Sequence, residues 1–240
     1  LAIGICEFGG AGVFAGAVGR LMRSPPIRLH RVLPWLVGQA ILMFARFLTA
    51  ARPIWEGILP LRRQRIYFAN HASNADFVLL WAVLPAPLRA ETRPVAASDY
   101  WLTTPMRKFV GCDVFNAVLI DRRPEERTED PVTQMIGALD EGSSLIIFPE
   151  GKRNTGEEPL LPFKSGLFHL AAARPAVDLV PVFIRNLNQV MPKGEVVPLP
   201  LICTVTFGAR IHLSEGEAKE DFLARARQAL LDLSLNRAAA

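Results

Sequence analysis

Cysteine is scarce in this chain of 240 residues, which has only Cys6, Cys112 and Cys203. The three are far apart and odd in number, so they form neither a disulfide framework nor the close pairs typical of a metal cluster. Sparse cysteine of this kind is typical of a protein in a reducing compartment. We therefore expect no structural disulfide and no metal site.

Other features are also missing. The sequence has no internal repeat and no low-complexity tract, which argues against a repeat architecture. Residues 1–19 lack the basic start and clean cleavage pattern of a signal peptide. Charged residues make up only 21% of the chain and apolar residues 50%, so disorder is not expected. A chain of this length can bury a sizeable core, as one large domain or as a domain with an appendage.

The charge balance leaves three classes of partner open. The net charge is +4, and a basic surface suits nucleic acid, anionic lipid or an anionic co-substrate such as coenzyme A. No recognisable nucleic-acid module accompanies that charge, and such a partner would leave the apolar N-terminal region without a role. We therefore do not expect nucleic acid to be the partner.

The N-terminal quarter is the most apolar part of the chain. Residues 32–50 form a 19-residue run, close to the length that spans a bilayer, but Pro34, Gln39 and Arg46 interrupt it. Arginines flank the run on both sides, which favours anionic headgroups on the cytoplasmic face of the inner membrane. We predict that residues 1–60 form a membrane-associating region and that residues 61–240 form the main domain. The alternative for residues 32–50 is a core helix of a soluble protein.

From Arg65 onward, strand and helix patterns alternate, which predicts an α/β fold with a mixed sheet flanked by helices. The predicted strands are 65–69, 94–97, 114–120, 144–148, 179–184 and 201–207. The predicted helices are 75–84, 100–110 with a break at Pro105, 131–140, 165–173 and 215–235. Asn74 is the expected N-cap of the first of these helices.

A histidine with a nearby carboxylate follows the first predicted strand. His71 stands at the strand end, where sites in open α/β sheets lie, and Asp76 follows in the first turn of the next helix. A histidine oriented by a carboxylate can take the proton of a hydroxyl as that hydroxyl attacks. Asp76 has a structural alternative, because acidic residues favour first helical turns.

A Pro-Glu-Gly turn with two cations follows another predicted strand. In residues 148–153, Gly151 permits a tight turn, while Lys152 and Arg153 can hold an anion. Glu150 accepts hydrogen bonds from a polyol or orients Arg153 through an ion pair. Residues 163–166, which include Lys164, then open a helix, where backbone N–H groups also bind anions. The alternative for the turn is an exposed loop of mixed charge.

These segments resemble the glycerolipid acyltransferase family, whose best-known members are the 1-acylglycerol-3-phosphate acyltransferases. The family shows His, four residues and Asp, followed by Phe-Pro-Glu-Gly-x-Arg, and both blocks occur here in that order. Residues 118–122 and 180–182 resemble two further family blocks. The likeness extends over about residues 65–210. Two departures are Lys152-Arg153-Asn154, where the turn commonly continues Thr-Arg-Ser, and Ala97, where many relatives carry a lysine.

The resemblance implies roles for particular residues. His71 is the general base and Asp76 its orienting partner. The acceptor's glycerol phosphate is bound by Arg122, Glu150, Gly151 and Arg153. We add Lys152 to this set for its own charge on the same turn, which the family pattern does not supply. Pro181 shapes the acyl pocket.

The resemblance also implies the reaction. An acyl chain passes from acyl-CoA or acyl carrier protein to the free hydroxyl of 1-acylglycerol-3-phosphate, giving phosphatidate in phospholipid biosynthesis. The thioester is a co-substrate, and no resident cofactor is expected. The partners are the lysophospholipid, the acyl donor and the membrane surface. Two alternatives remain: another lysolipid acceptor, such as lyso-ornithine lipid, or a non-catalytic lipid-binding protein with this fold.

Overall fold

The structure is a computed structural model that describes residues 29–123, 125, 129–185 and 203–235. The chain divides into two compact units, Leu1–Leu33 and Pro34–Ala240. In the first unit only residues 29–33 are described, and they form the start of a helix. The second unit contains the whole of the described sheet.

The centre of this second unit is a seven-stranded sheet in the order β1-β7-β6-β2-β5-β3-β4. Strands β6, β2, β5, β3 and β4 run parallel, β7 is antiparallel to β6, and β1 is parallel to β7. The strands are β1 Arg52–Trp55, β2 Arg65–Ala69, β3 Thr92–Ala97, β4 Val118–Ile120, β5 Ser144–Ile147, β6 Asp178–Arg185 and β7 Thr204–Phe207.

Helices cover both faces of the sheet. The α-helices are α1 Leu29–Thr49, α2 Asp76–Val83, α3 Ala86–Ala90, α4 Ser98–Trp101, α5 Pro105–Lys108, α6 Pro131–Asp140, α7 Gly166–Ala173 and α8 Lys219–Leu235, and a π-helical turn spans Phe109–Val114. Alternate side chains of β2 enter opposite cores, as a strand's period of two requires. Tyr67 packs with α2, whereas Phe68 packs with α6, α7 and α8. The predicted mixed sheet flanked by helices is confirmed.

Several predicted boundaries differ from the structure. The strand expected at residues 114–120 begins only at Val118, because residues 109–114 continue as the π-helical turn. Pro105 does break the helical region, and the hydroxyl of Thr104 caps α5 by accepting the N–H of Arg107 at 3.2 Å. Both α3 and the edge strand β1 were missed. The strand expected at residues 201–207 is described only from residue 203 onward.

Asn74 does not cap α2, so that prediction is wrong. The hydroxyl of Ser73 instead accepts the N–H of Ala75 at 3.2 Å, and Asp76 draws the preceding loop around its own carboxylate. The loop therefore folds around a buried side chain of the helix rather than around a cap before it.

The long helix α1 has one face packed on the domain and one face exposed. Leu42 is buried, and the guanidinium of Arg46 donates to the carbonyl of Ala82, at the C-terminal end of α2, over 3.1 and 3.3 Å. On the other face, Met43 is 71% and Phe47 87% exposed. By length and composition, residues 32–49 form the one helix of the described chain that could cross a membrane. Only 22% of this stretch is buried, so the core-helix alternative is not supported.

The division of the chain at residue 60 stays a prediction. The structure adds that β1, which lies before this boundary, pairs with β7 and forms the edge of the sheet. Arg65, an arginine that follows the apolar run of residues 32–50 in the sequence, is only 2% exposed and donates to the carbonyl of Leu59 at 2.8 Å. Arg65 therefore belongs to the protein interior and does not face lipid headgroups.

Candidate active site

The segments that carry the predicted site residues other than Pro181 meet where the parallel strands of the sheet end. Because β2, β5, β3 and β4 are parallel, their carboxyl ends lie on the same side, and β2 pairs directly with β5. His71 therefore faces the turn that follows β5, and its ring stacks on Phe148 with a centroid separation of 4.3 Å and an interplanar angle of 23°. The structure thus brings the two motifs into contact.

His71 and Asp76 form a hydrogen-bonded pair. Nδ1 of His71 lies 2.8 Å from Oδ2 of Asp76, and this oxygen also accepts the N–H groups of Ala72 at 2.7 Å and Ser73 at 2.8 Å. Asp76 is 1% exposed, whereas the His71 side chain is 21% exposed. Since an oxygen surrounded by N–H donors acts as acceptor, Nδ1 carries the proton and Nε2 keeps a lone pair that can accept one.

Asn70 fixes the end of β2, and sequence reasoning missed it. Its side-chain amide donates to the carbonyl of Ile184 at 3.0 Å, and its side-chain oxygen accepts the N–H of Ile184 at 2.7 Å. The carbonyl of the next residue, His71, accepts the N–H of Asn154 at 2.6 Å. A polar residue directly after a fully buried strand was the available signal, because such a group needs hydrogen-bond partners.

Glu150 is buried beneath His71 and does not orient Arg153. Its Oε1 accepts the backbone N–H of His71 at 2.8 Å, and its Oε2 accepts that of Leu161 at 2.9 Å. The side chain is 3% exposed and makes no ion pair within the described residues. Burial raises the pKa of the Glu150 carboxyl, and the two backbone hydrogen bonds partly oppose that rise. Glu150 thus joins the histidine loop to the chain that follows the Pro-Glu-Gly turn.

A cleft of about 730 Å³ opens in front of His71. Its apolar wall is formed by residues that pack on the two faces of the sheet, and it includes Phe77, Val95, Trp101, Met135, Leu167 and Leu170. Four cations also line it, namely Arg122, Lys152, Arg153 and Lys164. A cleft with apolar walls and several cations suits an amphiphile with an anionic head.

The predicted cations differ in their surroundings. Arg122 follows β4 and donates from Nη2 to both carboxylate oxygens of Asp99, at 2.8 and 3.1 Å. Lys152 and Arg153 are exposed on the turn after β5. Gly151 precedes them with φ at +69°, in the left-handed region that favours glycine. The structure therefore brings all four residues to the cleft that contains His71.

Pro181 is not part of this cleft. It is buried in β6, opposite Phe68 of β2, and its carbonyl accepts the N–H of Gly208 at 2.9 Å. Its ring lies against that glycine, where an added Cβ would be 3.0 Å from Cγ of Pro181. The structure thus does not bring Pro181 to the candidate site, because Pro181 lies in the middle of β6 and the site lies at the carboxyl ends of the strands.

The remaining titratable groups near the dyad do not form a metal cluster. No group of three or more His, Cys, Asp or Glu side chains suited to a metal ion occurs among the residues described. Cys203 is fully buried, and burial, together with the Asp76 carboxylate, raises the pKa of its thiol to about 11. This thiol is therefore protonated at neutral pH and is not a nucleophile there.

Comparison with known proteins gives concordant results. The family model described as Acyltransferase matches residues 56–185. The 1-acyl-sn-glycerol-3-phosphate acyltransferase of Salmonella typhimurium is 30% identical over 131 residues, covering 52% of this chain and 48% of the relative. The enzyme of the same name from Haemophilus influenzae is 31% identical over 131 residues, covering 52% and 49%. This chain thus spans about half the length of these curated relatives.

A solved structure also shares the fold. The crystal structure of the 1-acyl-sn-glycerophosphate acyltransferase PlsC from Thermotoga maritima matches with a TM-score of 0.63 and 21% identity, over 89% of this chain and 83% of that one. This likeness concerns the fold. Together with the family match, it confirms the resemblance drawn from His71, Asp76 and residues 148–153.

Proposed function

Because this chain belongs to the acyltransferase family, we propose that it transfers a fatty acyl chain to the free hydroxyl of 1-acylglycerol-3-phosphate, giving phosphatidate. The donor is a thioester, acyl-CoA or acyl carrier protein, and the reaction uses no resident metal or cofactor. The observation that carries the proposal is the His71–Asp76 pair, whose histidine opens on a cleft with apolar walls and cationic side chains.

In the proposed mechanism, Nε2 of His71 takes the proton of the acceptor hydroxyl as its oxygen attacks the thioester carbonyl. The tetrahedral intermediate collapses, the C–S bond breaks and the thiolate leaves. The proton on His71 then passes to the thiolate, which restores the neutral base. Asp76 keeps the ring in the required tautomer and stabilises the imidazolium that forms during attack. No acyl-enzyme is needed.

The acceptor phosphate binds to three of the four cations that line the cleft, Arg122, Lys152 and Arg153. Arg153 can form two parallel hydrogen bonds with phosphate oxygens. Arg122 must share its guanidinium between Asp99 and the ligand. Glu150 and Gly151 contribute indirectly, because the first holds the histidine loop and the second sets the turn that carries the cations.

The exposed face of α1 places the protein on the membrane, where lipid substrates reside. Trp35, Leu36, Met43, Phe44 and Phe47 give this face its apolar character. Because Arg46 is bound to the carbonyl of Ala82, we propose that α1 lies in the membrane interface and does not cross the bilayer by itself. The flanking arginines favour the cytoplasmic face.

The test of this function is acyl transfer to lysophosphatidate from acyl-CoA and from acyl carrier protein, with His71→Ala in parallel. The proposal is supported if the wild type forms phosphatidate and His71→Ala does not. The kcat of the variant should be lower by at least about 10²-fold. Product with lyso-ornithine lipid, but none with lysophosphatidate, would move the assignment to another lysolipid. Absence of product from folded, membrane-reconstituted protein with every acceptor would favour the non-catalytic alternative.

A further inference from the structure

Lys164 lies across the Pro-Glu-Gly turn, although the two are separated along the chain by the loop 154–163. Its backbone N–H donates to the carbonyl of Pro149 at 2.8 Å. Its side chain covers the Cα of Gly151, since a Cβ built there would lie 2.5 Å from Cε, 2.7 Å from Cδ and 2.9 Å from Nζ of Lys164. Main chain and side chain together therefore hold this lysine against the turn.

The ammonium group of Lys164 is available to a ligand. The residue is exposed and lines the cleft in front of His71. No ion pair or side-chain hydrogen bond of Lys164 is found in the part of the chain that the structure describes. Arg122, by contrast, already donates to both oxygens of Asp99. An anion that binds Lys164 need not compete with a carboxylate of the protein.

The position of the aliphatic part of the Lys164 side chain also favours anion binding. Ordering a free lysine side chain costs up to about 2 kcal/mol of conformational entropy. Here Cδ and Cε already rest on Gly151, so a smaller part of that cost remains when a ligand binds. The same contact gives Gly151 a second reason to be glycine, because any side chain there would displace the lysine.

We propose that Lys164 binds the phosphomonoester of the acceptor and so determines the preference for phosphorylated lysolipids. This inference rests on the proposed function and names a specificity residue for it. The ammonium acts as a point charge on the phosphate, in the same cleft that Arg153 lines. It does not act on the reacting oxygen, which belongs to His71.

The first experiment compares Lys164→Met with Lys219→Met, a matched change at an exposed lysine on α8 that is paired with Glu220. The acceptors are lysophosphatidate and the monoacylglycerol with the same acyl chain. Lys164→Met should raise the KM for lysophosphatidate by about tenfold or more, because a charge-assisted contact is lost. The kcat/KM for monoacylglycerol should stay within twofold, as should all constants of Lys219→Met. Lys164→Arg should restore most of the affinity.

Three results would overturn the inference. An unchanged KM for lysophosphatidate would show that Lys164 does not contact its phosphate. An equal loss on both acceptors would show that the lysine supports the fold or the chemistry. A raised KM for acyl-CoA, with the KM for lysophosphatidate unchanged, would assign the lysine to phosphates of the donor.

Direct binding separates failure of this inference from failure of the proposed function. Calorimetric titration with glycerol 3-phosphate should give a Kd at least about tenfold weaker for Lys164→Met than for the wild type. This titration gives a result even if the wild type does not acylate lysophosphatidate. Equal binding by both proteins would overturn the role of Lys164.

Gly151→Ala tests the contact itself. The new Cβ would displace the Lys164 side chain, and at a φ of +69° it would also strain the turn, so the variant should lose phosphate preference while Lys164 remains present. The part of this loss that comes from Lys164 is isolated by a double-mutant cycle. In a double-mutant cycle with Lys164→Ala, each single change should raise the KM for lysophosphatidate. The free-energy changes calculated from these increases should be far from additive. Fully additive losses would show that the two residues act independently and would contradict the proposed geometry.

Discussion

Nδ1 of His71 lies 2.8 Å from Oδ2 of Asp76, and the same oxygen accepts the N–H groups of Ala72 and Ser73. One carboxylate oxygen thus fixes both the histidine ring and the loop that carries it. The spacing of five residues follows from this arrangement, because the loop must turn once around a carboxylate in the first turn of α2.

Asp76→Asn should lower kcat by about 10²- to 10⁴-fold with little change in KM for either substrate. The amide oxygen of asparagine stabilises imidazolium less well than a carboxylate, and its NH₂ group cannot accept from three N–H donors. Steady-state kinetics beside His71→Ala measures this, with circular dichroism to check the fold. Near wild-type turnover in a folded Asp76→Asn protein would rule out the orienting role.

Glu150→Gln should lower kcat while leaving the cleft intact. A glutamine amide places a donor opposite the backbone N–H of either His71 or Leu161, so one of the two hydrogen bonds is lost. We expect a loss of about 1–3 kcal/mol in the free energy of unfolding, measured by urea denaturation. If Glu150 instead binds the acceptor directly, the main effect will be a raised KM.

The difference in stability between the wild type and Glu150→Gln should depend on pH, because only the wild type has the Glu150 carboxyl. Burial raises the pKa of Glu150 above its ordinary value of 4.5, so the unfolded chain loses this proton first. The stability that the protonated carboxyl contributes is present below about pH 4.5 and is lost as the pH rises through the folded-state pKa. The stability of the wild type relative to Glu150→Gln should therefore fall over this interval. Melting temperatures of both proteins across it provide the measurement.

Asn70→Ala should destabilise the domain by about 1–3 kcal/mol, because it leaves the N–H and carbonyl of Ile184 without their side-chain partner. Urea denaturation gives the loss. Asn70→Asp is the matched variant, since it keeps the acceptor for the N–H but removes the donor to the carbonyl. A stability of Asn70→Ala equal to that of the wild type would show that these bonds contribute nothing net.

Arg153→Ala should raise the KM for lysophosphatidate by about tenfold and leave kcat nearly unchanged, because the side chain contacts the phosphate and not the reacting hydroxyl. Arg153→Lys should recover only part of the affinity, since an ammonium cannot form two parallel hydrogen bonds. Monoacylglycerol serves as the acceptor without phosphate. Equal losses on the two acceptors would contradict phosphate binding by Arg153.

Cys203 should resist alkylation in the native protein at pH 8. Burial keeps its thiol protonated, with a pKa of about 11, whereas Cys112 is only partly buried. In a Cys6→Ser background, iodoacetamide followed by mass spectrometry should label Cys112 first and Cys203 only after unfolding. The thiol's contribution to stability is present below about pH 9 and is lost as the pH rises through about 11. Rapid native labelling of Cys203 would contradict its burial.

Much of the fold followed from local pattern. The helix α6 at 131–140 and the strand β2 at 65–69 have the bounds that their sequences predict, since apolar periodicity and a proline at the first helical position are local signals. The edge strand β1 was missed because four residues with an internal proline give almost no periodic signal, and only pairing with β7 makes them a strand.

The sequence by itself determined the family and the two motifs, because the His71–Asp76 pair and the Pro-Glu-Gly turn each need only neighbouring residues to form. Tertiary structure decided which groups surround them. The order of the strands sets the partners of Glu150, the ion pair of Arg122 with Asp99, and the burial of Pro181 away from the cleft. The contact of Lys164 with Gly151 also depends on the path of the loop between them. Spacing along the chain encodes a turn, but contacts between distant segments exist only once the sheet is assembled.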